Sequence, residues 1–208
     1  MPEHHTNSPP SLISRTLYVK KRIIASLKGV ASRVSGDCAL SSDQVTGFSS
    51  HANQHIAVYE LATDPGVESI DISSIEISNA GLDMSLSPDG RLLVSVGAGN
   101  VNEPLSVVDT QNRTEISTSE LFLDHTSAEF CDDGTLLVTT TFGHSHVMPF
   151  DNAVYDARVT SEGDLQLSGN RLSSGSQPNN ASCAPGSKAG VLLDRDGGVT
   201  SFCVPGLD

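Results

Sequence analysis

The chain has few of the residues from which a helical or aromatic-rich core is usually built. It has no tryptophan and only 4% aromatic residues among 208, so its core has to be packed by Val, Leu and Ile. Eighteen glycines and ten prolines favour a turn-rich β protein over a helical one. No segment approaches the roughly 20 apolar residues of a membrane helix, and we therefore expect no membrane span.

Cysteine is also scarce, with four residues at positions 38, 131, 183 and 203. None forms a CxxC pair, which argues against a zinc site or a redox motif, and we predict no metal and no cofactor. Cys183 and Cys203 are predicted in the first and third strands of one sheet. Such strands lie roughly 9–10 Å apart, which is too far for a disulfide. We therefore expect the cysteines to be buried free thiols.

Positive charge is nearly confined to the N-terminus. Six of the twelve basic residues and one acidic residue lie within the first 33, which gives that segment about +5 of a net −13 and leaves about −18 for the rest. We predict a basic, partly disordered segment over residues 1–34 and a folded domain over 35–208. Residues 15–34 fit either a short strand or an amphipathic helix. The acidic body argues against a nucleic-acid ligand.

Residues 81–110 show how the folded part is organised. Leu82, Met84 and Leu86 alternate with polar residues, as in a strand with one buried face. A turn follows with the sequence Ser-Pro-Asp-Gly, and residues 92–96 then form a strand with little polar relief, as expected of burial on both faces. Residues 105–109 form a third strand. Four short antiparallel strands in about 45 residues fit one blade of a β-propeller.

The same pattern recurs along the chain. The first turns of successive blades align at Asp43, Asp89, Asp133 and Gly186, with steps of 46, 44 and 53 residues. These steps are near the typical blade period. The longest step is accounted for by a polar run at 173–180, which we interpret as an inserted loop. The sequence thus predicts an all-β protein with about four blades of four-stranded antiparallel sheet.

Three segments carry a family resemblance: LSPDGRLLVSVGAG with LSVVDT, CDDGTLLVTTTFGH with AVYDARVTSEGDL, and HANQHIAVYEL. They resemble the repeats of YVTN and lactonase-type seven-bladed propellers, which are close to WD40-like blades. The resemblance covers about residues 37–204. A seven-bladed ring needs roughly 300 residues, so it implies an incomplete propeller, with the remainder of a larger propeller as one candidate partner.

The predicted blades bring loops together that are distant in sequence. Loops joining second to third strands, and loops joining one blade to the next, open on the same face of a propeller. Five of the seven histidines fall in such loops, where imidazoles can bind a polar ligand or shuttle protons. The candidate ligand-binding residues are His51, His55, Asn100, His125, His144 and His146, and Asn79 lies in a loop of the same kind.

Two functions are compatible with these residues. One is a non-catalytic propeller scaffold that presents its loop face to a protein or a small polar ligand. The alternative, implied by the resemblance, is a lactonase-like hydrolase acting on a sugar or cyclic lactone. No Gly-x-Ser-x-Gly motif occurs, and no catalytic residue can be assigned from the family pattern.

Overall fold

A computed structural model describes most of the chain after residue 36. The described residues are 37–42, 45–51, 53–60, 71–81, 83–97, 105–119, 124–141, 153–160, 162–174, 178–187 and 189–204. The predicted basic segment over residues 1–34 lies outside them. Every regular element in the described ranges is a β-strand. These ranges contain no helix long and apolar enough to cross a membrane.

The strands form four antiparallel sheets, each built from consecutive strands in chain order. We call these sheets blades 1 to 4. Blade 1 contains β1 (Cys38–Leu40), β2 (Thr46–His51), β3 (His55–Glu60) and β4 (Asp71–Glu76). Blade 2 contains β5 (Asp83–Leu86), β6 (Leu92–Val96), β7 (Leu105–Asp109) and β8 (Thr114–Ser119).

Blade 3 contains β9 (Asp124–Phe130), β10 (Leu136–Thr141), β11 (Ala153–Val159) and β12 (Leu165–Ser174). Blade 4 contains β13 (Pro178–Cys183), β14 (Ala189–Asp194) and β15 (Val199–Cys203). The described part of blade 4 thus has three strands where the other blades have four. The prediction of an all-β, propeller-like chain of about four blades is confirmed.

The first turn of each blade is closed by its own polar groups. In blade 2 the Ser87 hydroxyl donates to Asp89 Oδ1 at 2.6 Å and accepts from the Leu92 amide at 2.9 Å. Gly90 adopts a φ of 75°, which permits its amide to donate to the Ser87 carbonyl at 2.8 Å. The turn at residues 131–135 repeats this geometry, with Gly134 at φ 83°. The repeat read from the sequence is therefore a repeat of hydrogen-bonded turns.

The core lies between the blades. Phe48, Ile56 and Val58 of blade 1 pack in one cluster with Leu93 of blade 2. The next residue, Val94, points to the other side and joins a second cluster shared with blade 3. Residues 93, 94, 95 and 96 are all fully buried, which confirms the prediction that this strand is covered on both faces. Consecutive blades thus pack face to face through alternating side chains.

A third cluster joins blades 3 and 4, and it contains a disulfide. Leu137 and Val154 pack with Leu192 and Phe202, beside the bonded pair Cys131 and Cys183. The expectation of free thiols was wrong for these two cysteines. Their Cα atoms lie 5.5 Å apart because one follows β9 and the other ends β13 in the adjacent blade. Cys203 is a free thiol as expected, but the expectation of burial was wrong for it, because its side chain is exposed.

The prediction of an inserted loop at residues 173–180 was also wrong for most of these residues. Ser173 and Ser174 extend β12, while Asn179 and Asn180 lie in β13. Both strands show register shifts against their neighbours, so extra residues are absorbed as bulges inside the sheets. Residues 175–177 lie outside the described ranges.

Candidate functional site

One end of the blades gathers the connections predicted to form a site. Because the strands alternate in direction, the β2–β3, β4–β5 and β14–β15 connections open at the same end of the sheets. The innermost strands β5 and β9 run side by side in the same direction, since Asp83 and Ser85 bond to the amides of Ala128 and Phe130. We call this end of the described blades the loop face.

The β2–β3 hairpin presents two histidines at the loop face. His51 ends β2, His55 begins β3, and the two are direct cross-strand partners. The connection between them is three residues long and includes Gln54 at a positive φ of 64°. Such a short connection fixes the direction in which both imidazoles leave the sheet. The structure therefore brings together these two of the six candidate residues.

His51 is held by a short polar chain on one side of blade 1. Its Nε2 lies 3.1 Å from the Ser49 hydroxyl, which in turn lies 3.3 Å from the hydroxyl of buried Tyr59. Burial lowers the pKa of His51, and the neighbouring His55 lowers it further. Burial raises the pKa of Tyr59, against the opposing effect of its bond to Ser49. Both shifts favour the uncharged forms of His51 and Tyr59.

His55 lies between His51 and an acidic residue of the next strand. Its Nδ1 is 2.7 Å from the Asn53 carbonyl oxygen, and its Nε2 is 3.8 Å from Glu76 Oε1. The Glu76 side chain is 90% exposed, so it is available to a partner as well as to His55. Since the acid faces His55 and not the Ser49–His51 pair, these residues do not form a serine–histidine–acid triad.

Asn79, which the sequence places in a blade-to-blade loop of this face, holds the β4–β5 connection in place. It is fully buried, and its Nδ2 donates to the Ser95 carbonyl at 2.9 Å and to the Ser106 hydroxyl at 3.0 Å. Its Oδ1 accepts from the Gly81 amide at 2.8 Å. A satisfied buried amide of this kind rigidifies the connection it serves. The loop face between blades 1 and 2 is therefore preorganised.

Asp83 begins the innermost strand of blade 2, directly after that connection. Its Oδ2 accepts from the Ala128 amide of blade 3 at 3.2 Å. Burial, reinforced by the nearby Asp37 carboxyl and opposed by the bond from Ala128, raises the pKa of Asp83 to about 7. Asp83 therefore changes charge near neutral pH at the point where three blades meet.

The other candidates are placed differently. His125 is the second residue of β9, where it pairs with Thr140, and does not lie in the loop before that strand. Asn100, His144 and His146 lie outside the described residues. The described residues contain no group of three or more His, Cys, Asp or Glu side chains that could hold a metal ion.

Glu76 and Asp83 at the loop face, and Ser49 with Tyr59 behind His51, are not among the predicted candidates. Ser49 could have been found from strand alternation, since it lies two residues before His51 on the same side of β2. Glu76 and Asp83 required the pairing of β3 with β4 and of β5 with β9, which is tertiary information.

Solved structures with similar folds are propeller-like. The chain resembles a functionally unknown protein from Desulfotomaculum acetoxidans at 17% identity and a TM-score of 0.60, covering 83% of this chain and 57% of that one. It also resembles a chain of the mitotic checkpoint complex at 15% identity and a TM-score of 0.64, covering 83% of this chain and 49% of that one. A candidate 6-phosphogluconolactonase from Bacteroides uniformis matches at 15% identity and a TM-score of 0.63, covering 80% of this chain and 49% of that one.

These likenesses support the fold and leave the activity open. The chain spans about half the length of the solved proteins it matches. A search of curated proteins finds no match. Among family models, the one described as eukaryotic translation initiation factor eIF2A matches residues 46–156, from the start of β2 into β11. That match covers just over half of the chain.

Proposed function

The chain belongs to the eIF2A family, and from that premise we propose that it is a non-catalytic β-propeller module that binds a protein partner at its loop face. The observation that carries this proposal is the preorganised connection held by Asn79, beside the short hairpin that carries His51 and His55. Surfaces that are already ordered lose less entropy on binding, so they bind more tightly for the same contacts.

The charge of the domain specifies the kind of partner. Residues outside the N-terminal segment carry about −18. At the loop face Glu76 is almost fully exposed, and Asp196 lies in the exposed β14–β15 turn. Complementary charge speeds association and selects partners. The partner is therefore a protein with a basic surface, and a small polar ligand is the narrower variant of the same proposal.

As part of this proposal, the blades are of the YVTN and lactonase-type class that their sequences resemble. The similarity to a candidate lactonase at 15% identity supports a shared fold. The hydrolase alternative needs a base, an acid and a substrate pocket in one place. Of the loop-face histidines His51 and His55, His51 is the one with a hydroxyl partner, and that partner, Ser49, is buried. The acid Glu76 faces His55 instead, so the geometry favours the binding module over the hydrolase.

Photo-crosslinking from the two ends of the blades tests the proposal. We would place p-benzoylphenylalanine at Asn53, in the loop-face hairpin, or at Gln111, in a turn at the opposite end. Both positions are exposed, so they form a matched pair. In a cell extract, position 53 should give discrete protein adducts and position 111 should not. The adducts at position 53 should weaken as salt is added to the extract, because salt screens attraction between exposed charges.

Two results would overturn the proposal. Equal adduct patterns from positions 53 and 111 would show that the loop face has no preferred partner. Turnover of δ-gluconolactone above the uncatalysed rate, abolished by His51→Ala, would instead establish the hydrolase alternative.

A further inference from the structure

The disulfide between Cys131 and Cys183 is not needed to close the turn beside it. The turn after β9 is closed by the Cys131 amide, which donates to the Thr135 carbonyl at 2.7 Å. Asp133 closes it further, because its carboxylate accepts from the amide and the hydroxyl of Thr135, each at 2.9 Å. In blade 2 the corresponding turn uses the side chain of Ser87. The side chain of Cys131 is therefore left to serve the junction between blades 3 and 4.

Two hydrogen bonds across this junction lie beside the disulfide. Glu129 accepts from the Ser182 hydroxyl at 2.8 Å, and Asp132 accepts from the Gly186 amide at 2.8 Å. Both acceptors lie within two residues of Cys131 in sequence. Each bond requires the start of blade 4 to stay against blade 3 at this point. The disulfide and the two bonds therefore hold the same end of the junction.

Closer to the loop face, the same junction buries an unpaired hydroxyl. Ser127 of β9 pairs with Thr139, which pairs with Val154, so all three face the apolar cluster shared with blade 4. Ser127 is almost fully buried, and its hydroxyl has no hydrogen-bond partner among the described groups. Between blades 1 and 2, by contrast, Asn79 satisfies the buried polar groups. An unpaired buried hydroxyl weakens a junction, so the disulfide matters more here.

The two sulfur atoms of the disulfide differ in access. Cys131 is 3% exposed, whereas Cys183, the last residue of β13, is half-buried. A thiolate arriving from solvent therefore attacks the sulfur of Cys183, and the Cys131 sulfur leaves as a thiolate that takes up a proton. The second thiol of a dithiol then attacks the mixed disulfide and releases Cys183. Two electrons and two protons pass to the protein, and the dithiol becomes a disulfide.

We propose that this disulfide is a reversible latch, which a dithiol opens by attack at Cys183 and which couples the redox state of the surroundings to the docking of blade 4 on blade 3. In the oxidised protein the latch holds β13 against β9, and with it the β14–β15 turn at the loop face. In the reduced protein the apolar cluster remains, and blade 4 opens locally from blade 3. The inference does not depend on the proposed function.

Amide hydrogen exchange of the folded protein, in oxidised or reduced dithiothreitol at neutral pH, tests the proposal. Reduction should speed the exchange of β13 and β14 about tenfold more than that of β2 and β6, because locally opened strands lose protection. Reoxidation should restore slow exchange. Cys131→Ser should exchange fast in both buffers. Cys203→Ser is the matched control, since it removes a thiol of blade 4 and keeps the disulfide, and it should respond like the wild type.

Brief exposure of the wild type to glutathione, stopped by acid, identifies the sulfur that is attacked. Mass spectrometry should find the glutathione adduct on Cys183, and an adduct on Cys131 would overturn the proposal. So would a disulfide that survives reduced dithiothreitol without denaturant, or exchange that rises equally in all four blades. Slow exchange of blade 4 after full reduction would overturn it as well. These outcomes are read on the wild type, so they stand if Cys131→Ser fails to fold.

Discussion

At the scale of single residues, some polar side chains at the loop face bond to the protein itself, whereas others face solvent. Asn79 has the sequence position of a ligand-binding loop residue, yet its amide bonds to the protein itself, at Ser95, Ser106 and Gly81. A sequence pattern places such a residue at a turn. Whether the amide faces solvent or the junction between blades depends on packing that is set by distant strands.

The buried carboxyl of Asp83 should make stability depend on pH. Its pKa rises from 3.8 in the unfolded chain to about 7 in the folded one. Folding therefore favours the protonated carboxyl. The stability that this preference contributes is fully present below pH 3.8 and is lost as pH rises through about 7. The difference corresponds to at most about 4 kcal/mol. Asp83→Asn, which keeps an acceptor for the Ala128 amide, should remove this pH dependence and raise the melting temperature at about pH 8.

Circular dichroism melts of both proteins between about pH 4 and about pH 8 would measure the effect. Asp89→Asn is a control that should leave the slope of the wild type unchanged in this range, because a carboxyl whose pKa is lowered from 3.8 stays ionised above about pH 4. The pKa of Asp89 is lowered, chiefly by its bond from Ser87, so its contribution is present above its unfolded pKa and is lost as pH falls. If Asp83→Asn and the wild type melt in parallel across this range, the carboxyl is not responsible.

At the scale of elements, the repeated turns were predictable because they are local. Ser-Pro-Asp-Gly contains its own hydrogen-bond partners and its own glycine, so the neighbours in sequence determine the conformation. The start of β13 was not predictable in this way. Asn179 and Asn180 have low strand propensity, but Asn180 pairs with Leu193 of β14, and Asn179 is the extra residue at the register shift between Pro178 and Asn180.

Two glycines in strands and turns should differ in what they tolerate. Gly90 has a φ of 75°, and a Cβ added there would meet no atom within 4 Å, so Gly90→Ala should cost only the backbone term, about 1 kcal/mol. Gly190 lies under the ring of Phe202, whose atoms would be 2.5 Å from an added Cβ. Gly190→Ala should displace that ring and cost more, about 2–3 kcal/mol.

Urea unfolding of the two variants would give both free energies. The pair is internally controlled, because each variant adds the same methyl group. A larger loss at Gly90 than at Gly190 would contradict the packing of the Phe202 ring over Gly190.

At the scale of the whole molecule, the blades are held in order by contacts that no single segment encodes. Arg113 of blade 2 donates to Glu60 at 3.0 Å and to Ser73 at 2.8 Å, both in blade 1. Gly186 of blade 4 donates to Asp132 of blade 3 at 2.8 Å. The sequence could predict the number of blades from its repeat. It could not predict the bonds between them, because these join residues 40 or more positions apart.

The disulfide between Cys131 and Cys183 is the covalent example of such a contact, and its removal should loosen blade 4 from blade 3. The two cysteines are separated by 52 residues, and closing a loop of that length stabilises the folded state by about 4 kcal/mol through the entropy of the unfolded chain. Cys131→Ser should therefore lower the free energy of urea unfolding by roughly that amount, or somewhat less. Cys203→Ser should have almost no effect, because that side chain is exposed and unbridged.

Adding a reductant should lower the free energy of unfolding of the wild type toward that of the Cys131→Ser variant and leave the variant unchanged. A wild type that is insensitive to reductant, with a Cys131→Ser variant of equal stability, would show that the apolar cluster of Leu137, Val154 and Leu192 suffices to hold the two blades together.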